Sequence, residues 1–107
     1  MDLIQYQIVL INLDPTIGSE MQKTRPCLII SPNEMNRHLQ TIVIAPITNS
    51  TKPYPTRIEI KQNKTKGWVV LDQVRTIDRQ RVIKTYGVLN EKEIMQIKSV
   101  LKEIYVD

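Results

Sequence analysis

Five or six short β-branched runs punctuated by proline and glycine, brief helix-start signals, and one amphipathic stretch near the C-terminal end predict a mainly β chain with short helices. Together they suggest a small, strongly curved, mostly antiparallel sheet of SH3-like β-barrel type carrying a C-terminal α-helix. A length of 107 residues suits one domain, residues 1–107, because such a chain can bury a single core. No internal repeat, low-complexity tract or linker divides it.

Gln7 to Leu13 opens the pattern as a first strand, with Ile8, Leu10 and Asn12 on one face and Val9 and Ile11 on the other. Asp14, Pro15 and Gly18 break it, and Pro15 to Thr24 reads as a surface loop. Pro26 forces Arg25 into an extended conformation, and Cys27 to Ile30 continues as a buried strand. Ser31, Pro32, Asn33 and Glu34 form a helix start, with a capping serine, proline at the first helical position and a glutamate to close the capping box.

Thr41 to Ile47 is apolar almost throughout, as a strand buried on both faces would be. Thr56 to Ile60 alternates like an exposed strand, Trp68 to Leu71 makes another, and Val82 to Gly87 a last one. Asn90 can cap a final helix with Glu93 three residues on. Ile94, Ile97, Val100, Leu101 and Ile104 then fall on one face, which should lie against the barrel.

Composition narrows the chemistry. Fifteen basic against eleven acidic residues give a formal charge of +4, which favours an anionic partner. One cysteine, Cys27, cannot form an internal disulfide, and one histidine leaves no ligand set for structural zinc. Met1 to Asp14 has no basic n-region and does not read as a signal peptide, and no apolar run is long enough to span a bilayer. The expected setting is a reducing cytoplasm. A Gly-rich phosphate loop and a helical histidine pair for zinc are both missing, and His38, beside Asn36 and Arg37, reads as a solvent-facing histidine in a surface turn.

Two places could carry chemistry. Arg25, aimed by the proline after it, is a permanently charged fork of donors suited to phosphate oxygens or to a pentacoordinate phosphorus transition state; the plainer reading is an ion pair with Glu20 or Asp72. Thr48 ends an apolar strand before Asn49, Ser50 and Thr51, where it serves either a turn or a phosphate. Asp72, Gln73 and Arg75 follow the tryptophan strand, with Asp78, Arg79 and Arg81 in the next turn. Asp72 is there a structural ion-pair partner or a carboxylate that orients Arg25. Lys23, Arg25, Lys52, Arg57, Lys61, Lys64 and Lys66 make a basic groove if the loops converge and a solvated coat if they do not. Tyr54 and Trp68 are aromatic surfaces for stacking, although the apolar setting of Trp68 argues for core packing.

In this order, Leu13-Asp14-Pro15, Gly18-Ser19-Glu20, Thr24-Arg25-Pro26, Ala45-Pro46-Ile47-Thr48 and Asp72 to Asp78 resemble the MazF/PemK family of toxin ribonucleases over nearly the whole chain. The resemblance implies an SH3-like barrel that dimerises and cuts single-stranded RNA at short sequences without metal or cofactor, leaving a 2′,3′-cyclic phosphate and a 5′-hydroxyl. It implies Arg25 and Thr48 as the cleaving residues, Glu20, Asp72 and Gln73 as supporting groups, and Ser19, Lys23, Thr24, Asn49, Ser50, Lys52, Tyr54 and Arg75 as RNA contacts. It also implies a cognate antitoxin whose acidic and apolar tail folds onto the toxin and covers the RNA site.

Two departures stand out. Ser19 and Val70 occupy positions where some members of the PemK branch have histidine and arginine, and Met21-Gln22-Lys23 replaces a more glycine-rich stretch. Two other functions suit the same barrel: a CcdB-like toxin that binds DNA gyrase without catalysis, and a plain RNA-binding barrel.

Overall fold

The computed structural model describes residues 2–12, 23–50, 53–62 and 65–106. Seven strands, β1 (Gln7–Asn12), β2 (Thr24–Ile29), β3 (Thr41–Thr48), β4 (Arg57–Gln62), β5 (Thr65–Val70), β6 (Arg75–Asp78) and β7 (Val82–Val88), are joined by two helices, α1 (Asn33–His38) and α2 (Glu91–Tyr105). Single 3-10 turns at Leu71–Gln73 and Arg79–Arg81 bracket β6.

The sheet runs β4-β5-β3-β2-β1-β7, every pair antiparallel, with β6 attached to β3. β3 is shared along its length: its first half pairs with β6, from Thr41↔Asp78 to Ile44↔Arg75, and its last two residues pair with β5, Ile47↔Val69 and Thr48↔Trp68. This change of partner along one edge curls the sheet. Among the described residues the terminal strands β4 and β7 do not pair, so the predicted barrel is a curled half-barrel with a C-terminal helix.

Two apolar clusters follow from the two-residue period of the strands. Ile8, Leu28, Ala45, Ile47, Ile60, Val69 and Leu71 project from one face, and Ile97 of α2 is buried among them. Ile94, Val100, Leu101 and Ile104 pack against the same cluster. Val9, Ile11, Cys27, Ile29, Ile42, Ile44, Ile77 and Val82 make the cluster of the other face. The run Ile42 to Ile47 is therefore buried on both sides, as its composition predicts.

Asn90 caps α2 in a complete capping box: its side chain accepts from the Glu93 amide at 2.8 Å, and Glu93 accepts from the Asn90 amide at 3.3 Å. The expected cap of α1 is not made. That helix begins at Asn33, with Pro32 at the cap position and no side-chain cap. Ser31 lies one residue too early, and its hydroxyl is instead shared between the Val43 amide of β3 and buried Asn36, whose amide donates to the Ser31 carbonyl at 2.9 Å. Asn36 thus ties α1 to the sheet, and exposed His38 is the last residue of that helix rather than part of a turn.

Strand β6 was unexpected because only Ile77 of its four residues is buried. Thr24, read as loop, is the first residue of β2, paired with Asn12. Replacing Asn90 with alanine should lower unfolding free energy by about 1 kcal/mol, the usual worth of such a cap. Chemical denaturation of the two proteins measures it, and equal midpoints would remove the cap from the energetics.

Candidate active site

Arg25 and Thr48 are brought together by the β2–β3 register. Cys27 pairs with Pro46, Leu28 with Ala45 and Ile29 with Ile44, so the same count carried two residues further sets Arg25 opposite Thr48. The hydrogen-bonded ladder stops at Cys27↔Pro46 for a chemical reason: the Ile30 amide donates to the Val43 carbonyl, so by alternation position 26 also faces β3, and Pro26 has no N–H to contribute there. Beyond it lies an open cleft of about 420 Å³, lined by Thr24, Arg25, Pro26, Ile47, Thr48, Asn49 and Ser50.

Each side chain in the cleft is held from behind. Pairing with Ile11 of β1 keeps Arg25 in the sheet up to the cleft edge, and Pro26 restricts its backbone. Arg25 is exposed, and among the described residues no carboxylate stands within ion-pair reach of it. Thr48 is fixed from the other edge by its pairing with Trp68, and its hydroxyl donates to the Ser50 carbonyl at 3.1 Å. A methyl group at Gly67 would lie 2.8 Å from the Thr48 carbonyl oxygen and 2.9 Å from Ile47 Cγ2, so only glycine lets β5 approach the end of β3 this closely.

Below the cleft, Cys27 is fully buried. Burial pushes its thiol up to about 12, against the opposing pull of the nearby Arg25 and Arg75 guanidinium groups. Both arginines therefore act on one point of the sheet, with Arg75 exposed opposite Ile44. The groups facing the cleft are cationic or neutral donors, a set suited to an anion.

A model of PemK-like, MazF-like toxins of type II toxin-antitoxin systems matches residues 4–105. The chain belongs to this toxin family. It is 30% identical over 100 residues to the Endoribonuclease MazF of Staphylococcus epidermidis, covering 88% of this chain and 83% of that protein. It is 31% identical over 101 residues to the Endoribonuclease MazF of Staphylococcus saprophyticus subsp. saprophyticus, with the same coverage. Among solved structures, a MazE-MazF structure from Deinococcus radiodurans has the same fold, with a TM-score of 0.83 at 22% identity over 97% of this chain and 96% of that one.

In this MazF/PemK-like toxin a second group of residues gathers at the start of β4 and the end of β5. The Asp72 carboxylate accepts from the Thr56 hydroxyl at 2.9 Å and pairs with Arg57 Nε at 3.4 Å, and the Arg57 guanidinium lies 4.9 Å from the centre of the Tyr54 ring. Partial burial pushes the Asp72 carboxyl up, but the hydrogen bonds from Arg57 and Thr56 outweigh it and hold the group below its ordinary value. Asp72 therefore orients Arg57, not Arg25, because the 3-10 turn at Leu71–Gln73 turns it towards β4. Tyr54, Asp72 and Gln73 are exposed outside the cleft, Lys23 is exposed next to Thr24, and Ser19, Glu20 and Lys52 lie outside the described residues.

Arg57 and Trp68, which the sequence offers as a groove cation and a stacking surface, lie on the face of β4 and β5 turned away from α2. Trp68 is half-exposed and belongs to neither apolar cluster, which corrects the expectation of core packing. The signal was present in the alternation of Thr65 to Val70: Val69 faces the α2 cluster, so Lys66, Trp68 and Val70 must face away.

Two outcomes follow from this packing. A neutral alkylating reagent at pH 8 should modify Cys27 only as fast as the chain unfolds, since the thiol is both shielded and protonated; rapid labelling of the folded protein would contradict its placement. Gly67→Ala should cost about 1–3 kcal/mol by overpacking, with the largest amide chemical-shift changes at Ile47 to Ser50. Changes confined to β4 would show that β3 does not bear the strain.

Proposed function

We propose that the chain is the toxin ribonuclease of a type II toxin-antitoxin pair, an endoribonuclease that cuts single-stranded RNA without a metal. The observation that carries this reading is the shared cleft of Arg25 and Thr48, two groups that one phosphodiester can touch together. The named relatives are endoribonucleases, which supports the same activity here.

In the proposed reaction the 2′-hydroxyl oxygen bonds to phosphorus, the bond from phosphorus to the 5′-oxygen breaks, and a proton reaches that leaving oxygen. The products are a 2′,3′-cyclic phosphate and a 5′-hydroxyl. A guanidinium has no lone pair free to take a proton, so Arg25 is a poor base. Its guanidinium stabilises the doubly charged phosphorane and is placed to donate to the leaving oxygen. Thr48 has its proton on the Ser50 carbonyl, which leaves its oxygen lone pairs for the 2′-hydroxyl; rotation of the hydroxyl lets it hold a phosphate oxygen instead. The proton of the 2′-hydroxyl passes to water. The proposed RNA contacts are Thr24, Asn49 and Ser50, which line the cleft, together with Ser19, Lys23, Lys52, Tyr54 and Arg75, and the proposed supporting groups are Glu20, Asp72 and Gln73.

The expected form is a single-domain cytoplasmic homodimer held inactive by a cognate antitoxin. The structural likeness to a MazE-MazF structure and to an endoribonuclease in complex with its cognate antitoxin from Mycobacterial species supports such a partner. Among the described residues no helix is long and apolar enough to cross a membrane.

The purified chain should fragment a long RNA in excess EDTA, and the new 5′ ends should accept a kinase label without prior phosphatase treatment. Arg25→Ala should slow cleavage by about 10²-fold or more with an unchanged melting temperature. Full activity in that variant would remove Arg25 from the mechanism, and cleavage abolished by EDTA would overturn the metal-free reading.

A further inference from the structure

Resting on the reading of the cleft as the cleavage site, we infer that Trp68 is the stacking surface for a nucleobase next to the cleaved phosphodiester. Arg57, Lys61 and Lys66 carry the strand onward over the same face of the sheet.

The inference comes from register. Residues directly opposite each other in antiparallel strands project from the same face, with Cβ atoms about 4.5–5.5 Å apart. Thr48 pairs with Trp68, and Trp68 pairs with Glu59. Carrying the β2–β3 count to Arg25 completes one row across four strands: Arg25, Thr48, Trp68, Glu59. Carrying the β3–β5 count one residue back, the neighbouring row reads Cys27, Pro46, Val70, Arg57, and Lys66 pairs with Lys61 on the far side. Ile47, Ile58, Ile60 and Val69 project from the opposite face, where α2 covers them. The face that carries Arg25 and Thr48 thus continues over β5 and β4 with Arg57, Lys61 and Lys66 on it, Glu59 opposite Trp68 and Asp72 against Arg57.

Trp68 is the tryptophan of this track, half-exposed, one strand from Thr48 and two from Arg25, or roughly 10 Å at the usual strand spacing. A flat aromatic surface between cations is the arrangement by which proteins hold single-stranded nucleic acid, because every base has a face to stack. Beyond it, the Tyr54 ring lies against Arg57, whose guanidinium is pinned by Asp72, giving a second planar surface at the end of the track.

The chain has one tryptophan, so its emission reports on this point alone. The probe is an oligoribonucleotide spanning a cut site mapped in the cleavage assay, made uncleavable by a 2′-deoxy substitution at the attacking nucleotide. Adding it to the unsubstituted protein should quench Trp68 emission to saturation. Oligonucleotides lacking the base on one or other side of the cut phosphate should separate the contributions, one of them binding with the quench largely lost. Trp68→Phe should bind within a few-fold of the parent, whereas Trp68→Ala should raise both Kd and KM roughly tenfold with little change in kcat.

Unchanged emission on saturable binding, or equal quenching by both base-lacking probes, overturns the proposal while leaving the nuclease reading intact. A parent protein that neither binds nor cuts RNA overturns both. The quenching experiment needs no substituted protein, so an unfolded Trp68→Ala leaves the answer unaffected.

Discussion

Strand β3 is paired along both edges, with β2 on one side and β6 followed by β5 on the other. A one-residue slip in any of these ladders would turn Ile42 and Ile44 out of one cluster and Ala45 and Ile47 out of the other, so burial on both faces fixes the register with little freedom. The cleft is a by-product of that constraint. Thr48 ends the strand whose register is best defined, and Arg25 stands across from it because β2 is held to the same count.

Pro26 gives the site its opening. Within a continuous ladder, Arg25 and Thr48 would flank backbone hydrogen bonds and leave no room for a ligand between the strands. Pro26 ends the pairing at the Cys27 row, and the backbone beyond can part at a smaller cost because that position has no donor to lose. Rigidity lies below the cleft, where Cys27, Ile29 and Ile44 are fully buried, and access lies above it. A reactive arrangement held by packed strands rather than by loops keeps its geometry when substrate arrives.

Charge is distributed to match. Asp72, the carboxylate that sequence proximity offered to Arg25, is engaged by Arg57 and Thr56. An arginine paired with a carboxylate has much of its field cancelled, whereas the exposed Arg25 and Arg75 keep theirs directed at the same part of the sheet. The Arg57–Asp72 pair is partly exposed, and its use is positional more than stabilising: it holds a guanidinium over the Tyr54 ring.

The sequence by itself determined most of the strand pattern and the terminal helix with its capping box, and it offered Arg25 and Thr48 separately, each with a plainer alternative. These rest on local chemistry: side-chain periodicity, proline stiffness and the reach of Asn90 and Glu93 along one turn. The expected serine cap failed because a distant strand competed for the same hydroxyl, and β6 was hidden because its hydrogen bonds come from β3 rather than from its own composition. Only the tertiary structure decided which carboxylate serves which arginine and which face Trp68 presents. Those choices depend on ladder registers between segments far apart in the chain, and no local pattern carries a register.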